Sequence, residues 1–284
     1  MVHPFLELKN VSYQYPDGTL ALNNISLQII TGKKIALLGN NGSGKSTLLL
    51  HLNAVLAPTT GQLYYKGKDF TYKRKEKNKL RGDVGIVFQD PDTQLFSSSV
   101  YDDIQYGPRN MGLSKEEVES RVLEAMEMTD TMSLKEKPPH FLSVGQKKRV
   151  AIASVLSMKP ALMIFDEPTA GLDPYYTNRI LNILNQLATK ERTILVSTHD
   201  VDFAYEWADE IWLLSEGMLI ARNAPFEIFQ DQTLLAKSHL RQPWVLEVFA
   251  KIKEPLKMST CPRSKEELLT ILEHSLTPIV DRSK

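Results

Sequence analysis

The chain of 284 residues contains a single cysteine, Cys261. One thiol excludes an intramolecular disulfide and a cysteine-built metal cluster. No stretch approaches the roughly 18 consecutive apolar residues that cross a bilayer, so no membrane span is expected. Net charge is also missing, because 34 Lys and Arg balance 34 Asp and Glu. Without a basic excess, no nucleic-acid partner is expected. The opening Met-Val-His-Pro-Phe-Leu-Glu has no basic stretch followed by an apolar core, and so reads as no secretory signal. His3, His51, His140, His239 and His274 show no metal-ligand spacing. There is no internal repeat and no low-complexity tract. These absences point to a cytoplasmic protein, free or held at a membrane by partners. With 42% hydrophobic residues, the chain is long enough for one large domain with an appendage, or for two domains.

What is present is organised around Gly39-Asn40-Asn41-Gly42-Ser43-Gly44-Lys45-Ser46-Thr47, which matches the phosphate-loop pattern G-x-x-x-x-G-K-[ST]. The short apolar run Lys34 to Leu38 before it predicts a buried strand, and the Leu-rich run from Ser46 to Val55 predicts a helix. The glycines let main-chain N–H groups close around phosphate oxygens, and the helix start adds unpaired donors and a positive dipole end. Lys45 is placed to reach the β- and γ-phosphates, and the Ser46 hydroxyl to ligate Mg²⁺.

Elsewhere, Phe5–Tyr15 and Ile25–Ile29 alternate as half-buried strands, and Gly61–Gly67 reads as strand and turn. Tyr15, just before a turn, has two readings, a strand-end core residue or an aromatic that stacks on a nucleotide base. The basic run from Lys73 to Arg81 reads as a solvated face, with anionic lipid as the sharper alternative. Asp83–Phe88 predicts a strand ending at Gln89, whereas 94–111 shows no clean period. Ser114-Lys115-Glu116-Glu117 and Ser264-Lys265-Glu266-Glu267 have the spacing of capping boxes. Helices are also expected from Leu142 to Met158 and from Asp173-Pro174 onward. Ala161–Asp166 and Thr193–Ser197 are buried strands, and Ile211–Ile220 is a hairpin. Strands alternating with helices imply an α/β sheet with its ligand at the strand C-termini.

Three of those predicted strand ends carry chemistry. Asp166 is placed to hold Mg²⁺ opposite the phosphate loop, and Glu167 to orient and polarise the attacking water. Gln89 is a candidate Mg²⁺ ligand or water-positioning group. His199 is a candidate donor to the γ-phosphate.

Leu142-Ser143-Val144-Gly145-Gln146 joins these motifs in one order: phosphate loop, Gln89, Ser143–Gln146, Asp166–Glu167, Asp173, His199. In that order the chain strongly resembles the ABC ATPase family over residues 5–222. The resemblance implies an ABC-type P-loop nucleotide-binding domain with a RecA-like core sheet, an antiparallel β subdomain and a helical signature subdomain. It implies ATP and Mg²⁺ as cofactors and two subunits closing head to tail over ATP. Ser143, Gly145 and Gln146 would then meet the nucleotide bound by the partner, with Asp173 at the seam and Tyr15 on adenine. Val144 stands where the commonest signature has glycine.

A narrower resemblance lies in Val87–Phe96, Tyr106-Gly107-Pro108 and Gln146–Ser154. It is to the ATPase subunits of energy-coupling-factor importers, most of all the cobalt- or nickel-transport branch. That implies an ATPase peripheral to the cytoplasmic face of the cell membrane. Its partners would be a transmembrane coupling subunit, a substrate-binding membrane subunit and a second ATPase, identical or related. It divides the chain into a nucleotide-binding domain, 1–225, and a dimerising C-terminal extension, 226–284. The segment 90–108 would help form the groove that receives a helix of the membrane subunit, with Asp102 and Asp103 free to pair with its basic residues. Vitamin uptake is the alternative cargo. A soluble repair or translation ATPase fits less well, since the Gln89–Ser143 interval is too short for a coiled coil and the motif set occurs once. A regulatory subunit with a degenerate site does not fit Lys45, Asp166, Glu167 and His199 all being present.

Overall fold

In the computed structural model, which describes residues 4–255 and 261–280, the first half of the chain runs β1 (Leu6–Gln14), β2 (Leu20–Ile29), β3 (Lys34–Leu38), α1 (Lys45–Leu52), β4 (Thr60–Tyr65), β5 (Lys68–Asp69), α2 (Arg74–Asp83) and β6 (Val84–Val87). Three helices follow, α3 (Val100–Asn110), α4 (Lys115–Met128) and α5 (Val144–Leu156). The alternation then resumes with β7 (Leu162–Asp166), α6 (Pro174–Leu187), β8 (Thr193–Ser197), α7 (Val201–Trp207), β9 (Glu210–Ser215) and β10 (Met218–Asn223). The tail contains α8 (Pro225–Gln230), α9 (Gln232–Ser238), α10 (Trp244–Ile252) and α11 (Lys265–Val280).

Two sheets result, an antiparallel one ordered β2-β1-β4-β5 and a larger one ordered β10-β9-β3-β8-β7-β6. From β9 to β6 the larger sheet is parallel, and β10 closes it antiparallel. Its central strands are apolar on both faces, as expected of a parallel sheet covered on both sides. Alternation divides each strand between two cores. Ala36, Leu38, Met163, Phe165, Ile194 and Val196 face the helical side. Ile35, Leu37, Leu162, Ile164 and Leu195 face the antiparallel sheet. Each such Val, Leu, Ile, Met or Phe side chain, fully withdrawn from water, contributes about 1.5–3 kcal/mol. Because β3, β8, β7 and β6 are parallel neighbours, the residues at their C-terminal ends lie side by side.

Helix α3 lies where the sequence shows no period. Its signal is sparse, with Val100, Ile104 and Pro108 on the buried side. Ser99 caps it by accepting from Asp102 N at 3.1 Å. Asp103 is only 4% exposed and lies on the same inner side. Its Oδ1 accepts from the Phe96 and Ser97 N–H groups, both at 3.1 Å. Asp102 is occupied locally by Ser98, Ser99 and Gln105. The pair therefore builds the loop before α3, and the expectation of two free acidic side chains is corrected. Of the apolar residues Leu95, Phe96, Val100, Tyr101, Ile104 and Tyr106, Val100 and Ile104 are core, Leu95 and Tyr101 pack partly against it, and Phe96 and Tyr106 stand 68% and 53% exposed.

Of the two expected capping boxes, the one at Ser114 is half-formed. Ser114 Oγ accepts from Glu117 N, but the Glu117 carboxylate turns to Arg121 instead. The tail is not a separate unit at its start. Ile228, Phe229, Leu235, Val245 and Leu246 belong to the large core. Beyond them, Arg263 donates to the carbonyls of Tyr205 and Ala208. Truncation near Pro225 would strip the core, so it cannot report on self-association alone.

Candidate nucleotide site

The turn from β3 into α1 forms the phosphate loop. Gly39 has φ +153°, and a β-carbon there would fall 2.3 Å from Leu214 O. Gly44, at φ +101°, caps α1, and a β-carbon would fall 2.5 Å from Ala21 O. Only glycine fits either position. Lys45 is buried, and its Nζ donates to Gly39 O at 2.6 Å and Asn40 O at 3.0 Å. Burial pulls its pKa below the ordinary lysine value, opposed by the charges of Glu167 and Asp166. Ser43 Oγ is buried with no partner. A cradle holding a lysine on its own carbonyls and a hydroxyl without a bond is suited to an anion that satisfies both.

Asp166 closes β7. One oxygen accepts from Ser46 Oγ at 2.8 Å, the other from Ser197 Oγ at 2.6 Å. Glu167 follows in a left-handed conformation, φ +46°. Its N–H donates to Ser197 O at 3.1 Å, and its Oε2 lies 2.9 Å from His199 Nδ1. On the other side of the loop, Tyr15 OH lies 3.0 Å from Thr47 Oγ1. The fold thus brings together residues from four separate stretches of the sequence: Tyr15, the 39–47 loop, Asp166-Glu167, and Ser197 with His199. Gln89 is exposed just past β6, at the sheet edge.

Ser143–Gln146 lies apart. Ser143 Oγ accepts from Gln146 N at 3.3 Å, and Gln146 Oε1 accepts from Ser143 N at 3.0 Å, a complete capping box. No hydrogen bond of the described residues joins it to the phosphate loop. Ser143 is exposed at the start of the 13-residue α5, whose dipole favours an anion. Val144 occupies the first helical position with 52% of its surface exposed, so valine for glycine introduces no backbone strain. Gly145 is buried, and a β-carbon there would fall 2.8 Å from the Tyr176 ring. Asp173 caps α6 by accepting from Tyr176 N at 2.9 Å.

The ABC transporter family profile matches residues 22–170, more than half of the chain. The chain belongs to the ABC transporter family. Members couple ATP hydrolysis to transport, and this ABC ATPase carries the family's P-loop fold. It is 47% identical to the energy-coupling factor transporter ATP-binding protein EcfA of Methanosphaera stadtmanae, over 87% of this chain and 89% of that protein. A putative ABC transporter ATP-binding protein of Methanosarcina mazei is also 47% identical, but the match spans only 55% of its length. Among solved structures, cbiO1 of Clostridium perfringens, part of the ABC transporter complex cbiONQ, superposes with TM-score 0.74. It is 41% identical, over 90% of this chain and all of that one. The ATP-binding cassette MJ0796, a dimer bound to ADP and phosphate, superposes with TM-score 0.71 at 30% identity, over 78% of this chain and 98% of that one.

Several polar contacts around the ABC ATPase site had no role assigned from the sequence. Gln94 accepts from Phe88 N and donates to Ala151 O and Ser154 Oγ, pinning the segment after Gln89 to α5. Ser197 holds Asp166, and Lys147 and Lys148 reach out from α5. Each is a polar residue whose partner is far away in sequence. The only local sign is a polar side chain at the end or on the flank of an apolar run. Among the described residues no helix is long and apolar enough to cross a membrane, and no cluster of three or more His, Cys, Asp or Glu could hold a metal ion.

Proposed function

We propose that this ABC ATPase is the energy-coupling subunit of a membrane importer of the energy-coupling-factor type, with cobalt or nickel ions as cargo. The observation that carries the ATPase half is the meeting of Lys45, Ser46, Asp166, Glu167 and His199 at the ends of adjacent parallel strands. The importer class is supported by identity to EcfA across most of both chains and by similarity to cbiO1 of the cbiONQ transporter complex, and the metal cargo by the resemblance of Val87–Phe96 and Gln146–Ser154 to the cobalt- or nickel-transport branch. Vitamins are the second cargo class, since the EcfA name specifies no cargo.

In this reading the backbone N–H groups of Gly39 to Thr47 wrap the β- and γ-phosphates. Lys45 exchanges its carbonyl bonds for phosphate oxygens, and Tyr15 stacks on the base. Mg²⁺ fits the donor set. Such an ion keeps several waters and takes one or two protein oxygens plus phosphates, so no cage of carboxylates is needed. Ser46 and Gln89 would hold it, with Asp166 behind Ser46, and it would neutralise charge developing on the phosphates. Glu167 orients the attacking water and accepts its proton. His199 holds the other side of the γ-phosphate and, through Nδ1, the Glu167 carboxylate. A second subunit, identical or related, completes each site with Ser143, Gly145 and Gln146, and Asp173 lines the seam. The subunit sits peripherally at the cytoplasmic face of the membrane, with a transmembrane coupling subunit and a substrate-binding membrane subunit as partners. Residues 226–284 assist pairing, with their first helices built into the ATPase core.

The test is purification of the tagged chain from its own membranes in mild detergent, together with uptake of radioactive cobalt and nickel ions by those cells. Membrane subunits should co-purify, and disruption of the chain should abolish uptake of one ion. A chain recovered without membrane proteins, and unchanged uptake of both ions, would contradict the reading. Loss of vitamin uptake instead would select the second cargo.

A further inference from the structure

Three consecutive cations on α5 reach three different elements. Lys147 Nζ lies 2.6 Å from Asp92 Oδ1, in the turn beyond Gln89. Arg149 donates to Thr129 O at 3.1 Å and pairs with Asp130. Lys148 touches neither. It is 4% exposed, and its Nζ lies 2.9 Å from Pro168 O and 3.4 Å from Glu167 O. A lysine withdrawn from water onto neutral carbonyls is costly to keep charged. Burial lowers its pKa, with Glu167 and Asp90 opposing from a distance. Among the described residues no carboxylate forms an ion pair with it.

Glu167 needs external support. Its φ of +46° is uncommon for a residue with a side chain. Its N–H is turned to β8, where Ser197 O accepts it, and its carboxylate is turned to His199. Its carbonyl accepts from Ala170 N at 3.1 Å, and Pro168 supplies no N–H of its own. Lys148 is the side chain that reaches both the Glu167 and the Pro168 carbonyl.

We propose that Lys148 is a positioning residue for ATP hydrolysis. Its ammonium, carried on a rigid helix, fixes the two carbonyls after β7 and with them the left-handed turn that aims the Glu167 carboxylate. The proposal rests on the reading of Glu167 as the group that orients water. It also joins two parts of the site. Ser143 caps the helix about one and a half turns before Lys148. A movement of α5, whose exposed start is the anion-facing end, is therefore carried to the Glu167 loop of the same chain.

The experiment compares ATP turnover and equilibrium ATP binding of the full chain as wild type, Lys148→Met, Lys148→Arg, Glu167→Gln and Lys148→Met/Glu167→Gln. Misplacing a reacting group by an ångström costs about 10²-fold, so Lys148→Met is expected to lower kcat by about 10- to 100-fold. KM and ATP affinity should stay within about threefold, because the phosphate loop is untouched. Lys148→Arg, which keeps a charged donor, should recover most of kcat. The double variant should be no slower than Glu167→Gln alone, because the two changes remove one function. Unchanged kcat in Lys148→Met beside an inactive Glu167→Gln overturns the proposal alone. So does a multiplicative loss in the double variant, or a parallel loss of ATP affinity, either of which would mean general structural support. Wild-type turnover by Glu167→Gln overturns the reading of Glu167 and this proposal with it. Should Lys148→Met not give a folded circular dichroism spectrum, Lys148→Gln carries the same comparison.

Discussion

His199 Nδ1 lies 2.9 Å from Glu167 Oε2, a bond between the residues that follow neighbouring parallel strands β8 and β7. The Glu167 side chain is 13% exposed and that of His199 is 74% exposed. One end of the pair is fixed in the protein, and the other is open to a ligand. His199→Ala is expected to lower kcat by roughly 10²-fold, the lower range for a positioned proton-transfer partner, with ATP affinity little changed. Steady-state turnover beside equilibrium nucleotide binding checks this. An equal loss in both would make His199 a binding residue only.

Ser143 tests whether the site is shared between subunits. Ser143→Arg should leave nucleotide binding by the isolated monomer intact and abolish hydrolysis, because among the described residues the side chain bonds only within its own capping box. Mixing Ser143→Arg with Lys45→Ala subunits should restore part of the activity, since some mixed dimers hold one site free of both changes. Loss of nucleotide binding by the Ser143→Arg monomer would contradict the arrangement.

Glu210 sets a pH dependence of stability. Burial raises its pKa, but hydrogen bonds from Arg222, Lys33 and Trp212 outweigh this and leave it below the ordinary 4.5. A carboxylate with a lowered folded pKa stabilises fully above its unfolded value and loses the contribution as pH falls through the folded one. Glu210→Gln should therefore destabilise by about 1.5–3 kcal/mol at neutral pH, the range for hydrogen bonds to a charged group. The deficit should shrink below pH 4.5. Denaturant melts at pH 7 and pH 4 measure it, and an equal deficit at both would contradict the assignment.

The surface beyond Gln89 divides into two classes. Phe96 and Tyr106 form an exposed edge-to-face pair, ring centroids 4.9 Å apart, while Asp103 is buried beneath. Phe96→Ser/Tyr106→Ser should preserve ATP turnover and lose co-purification of the membrane subunit. Asp103→Ala should instead lower the melting temperature, because it frees two loop N–H groups. Undiminished co-purification by the aromatic variant would remove this surface from the partner interface.

The phosphate loop and the buried strands were legible because each is a local signal, a glycine pattern or an apolar run. Helix α3 was not, since only Val100, Ile104 and Pro108 mark its inner face and the buried Asp103 breaks the apolar stripe. Asp103 also shows why acidic residues beside aromatics read as surface when two backbone N–H groups in fact hold one of them inside. The docking of Phe229 and Leu246 onto the core, and the reach of Lys148 to Pro168, join elements far apart in sequence. Periodicity carries no trace of such contacts. Asp166, Glu167 and His199 were legible as strand-end residues, whereas the bond between the last two needed the order β8-β7.

Glu167→Gln asks whether this fold hydrolyses ATP with Glu167 at the reacting water. The measurement is phosphate release and ATP binding on the same Mg²⁺-containing samples of wild type and variant. Turnover by the wild type is expected, with a loss of at least about 10²-fold in the variant and ATP affinity within a few-fold of wild type. Phosphate release by Glu167→Gln at the wild-type rate would contradict it.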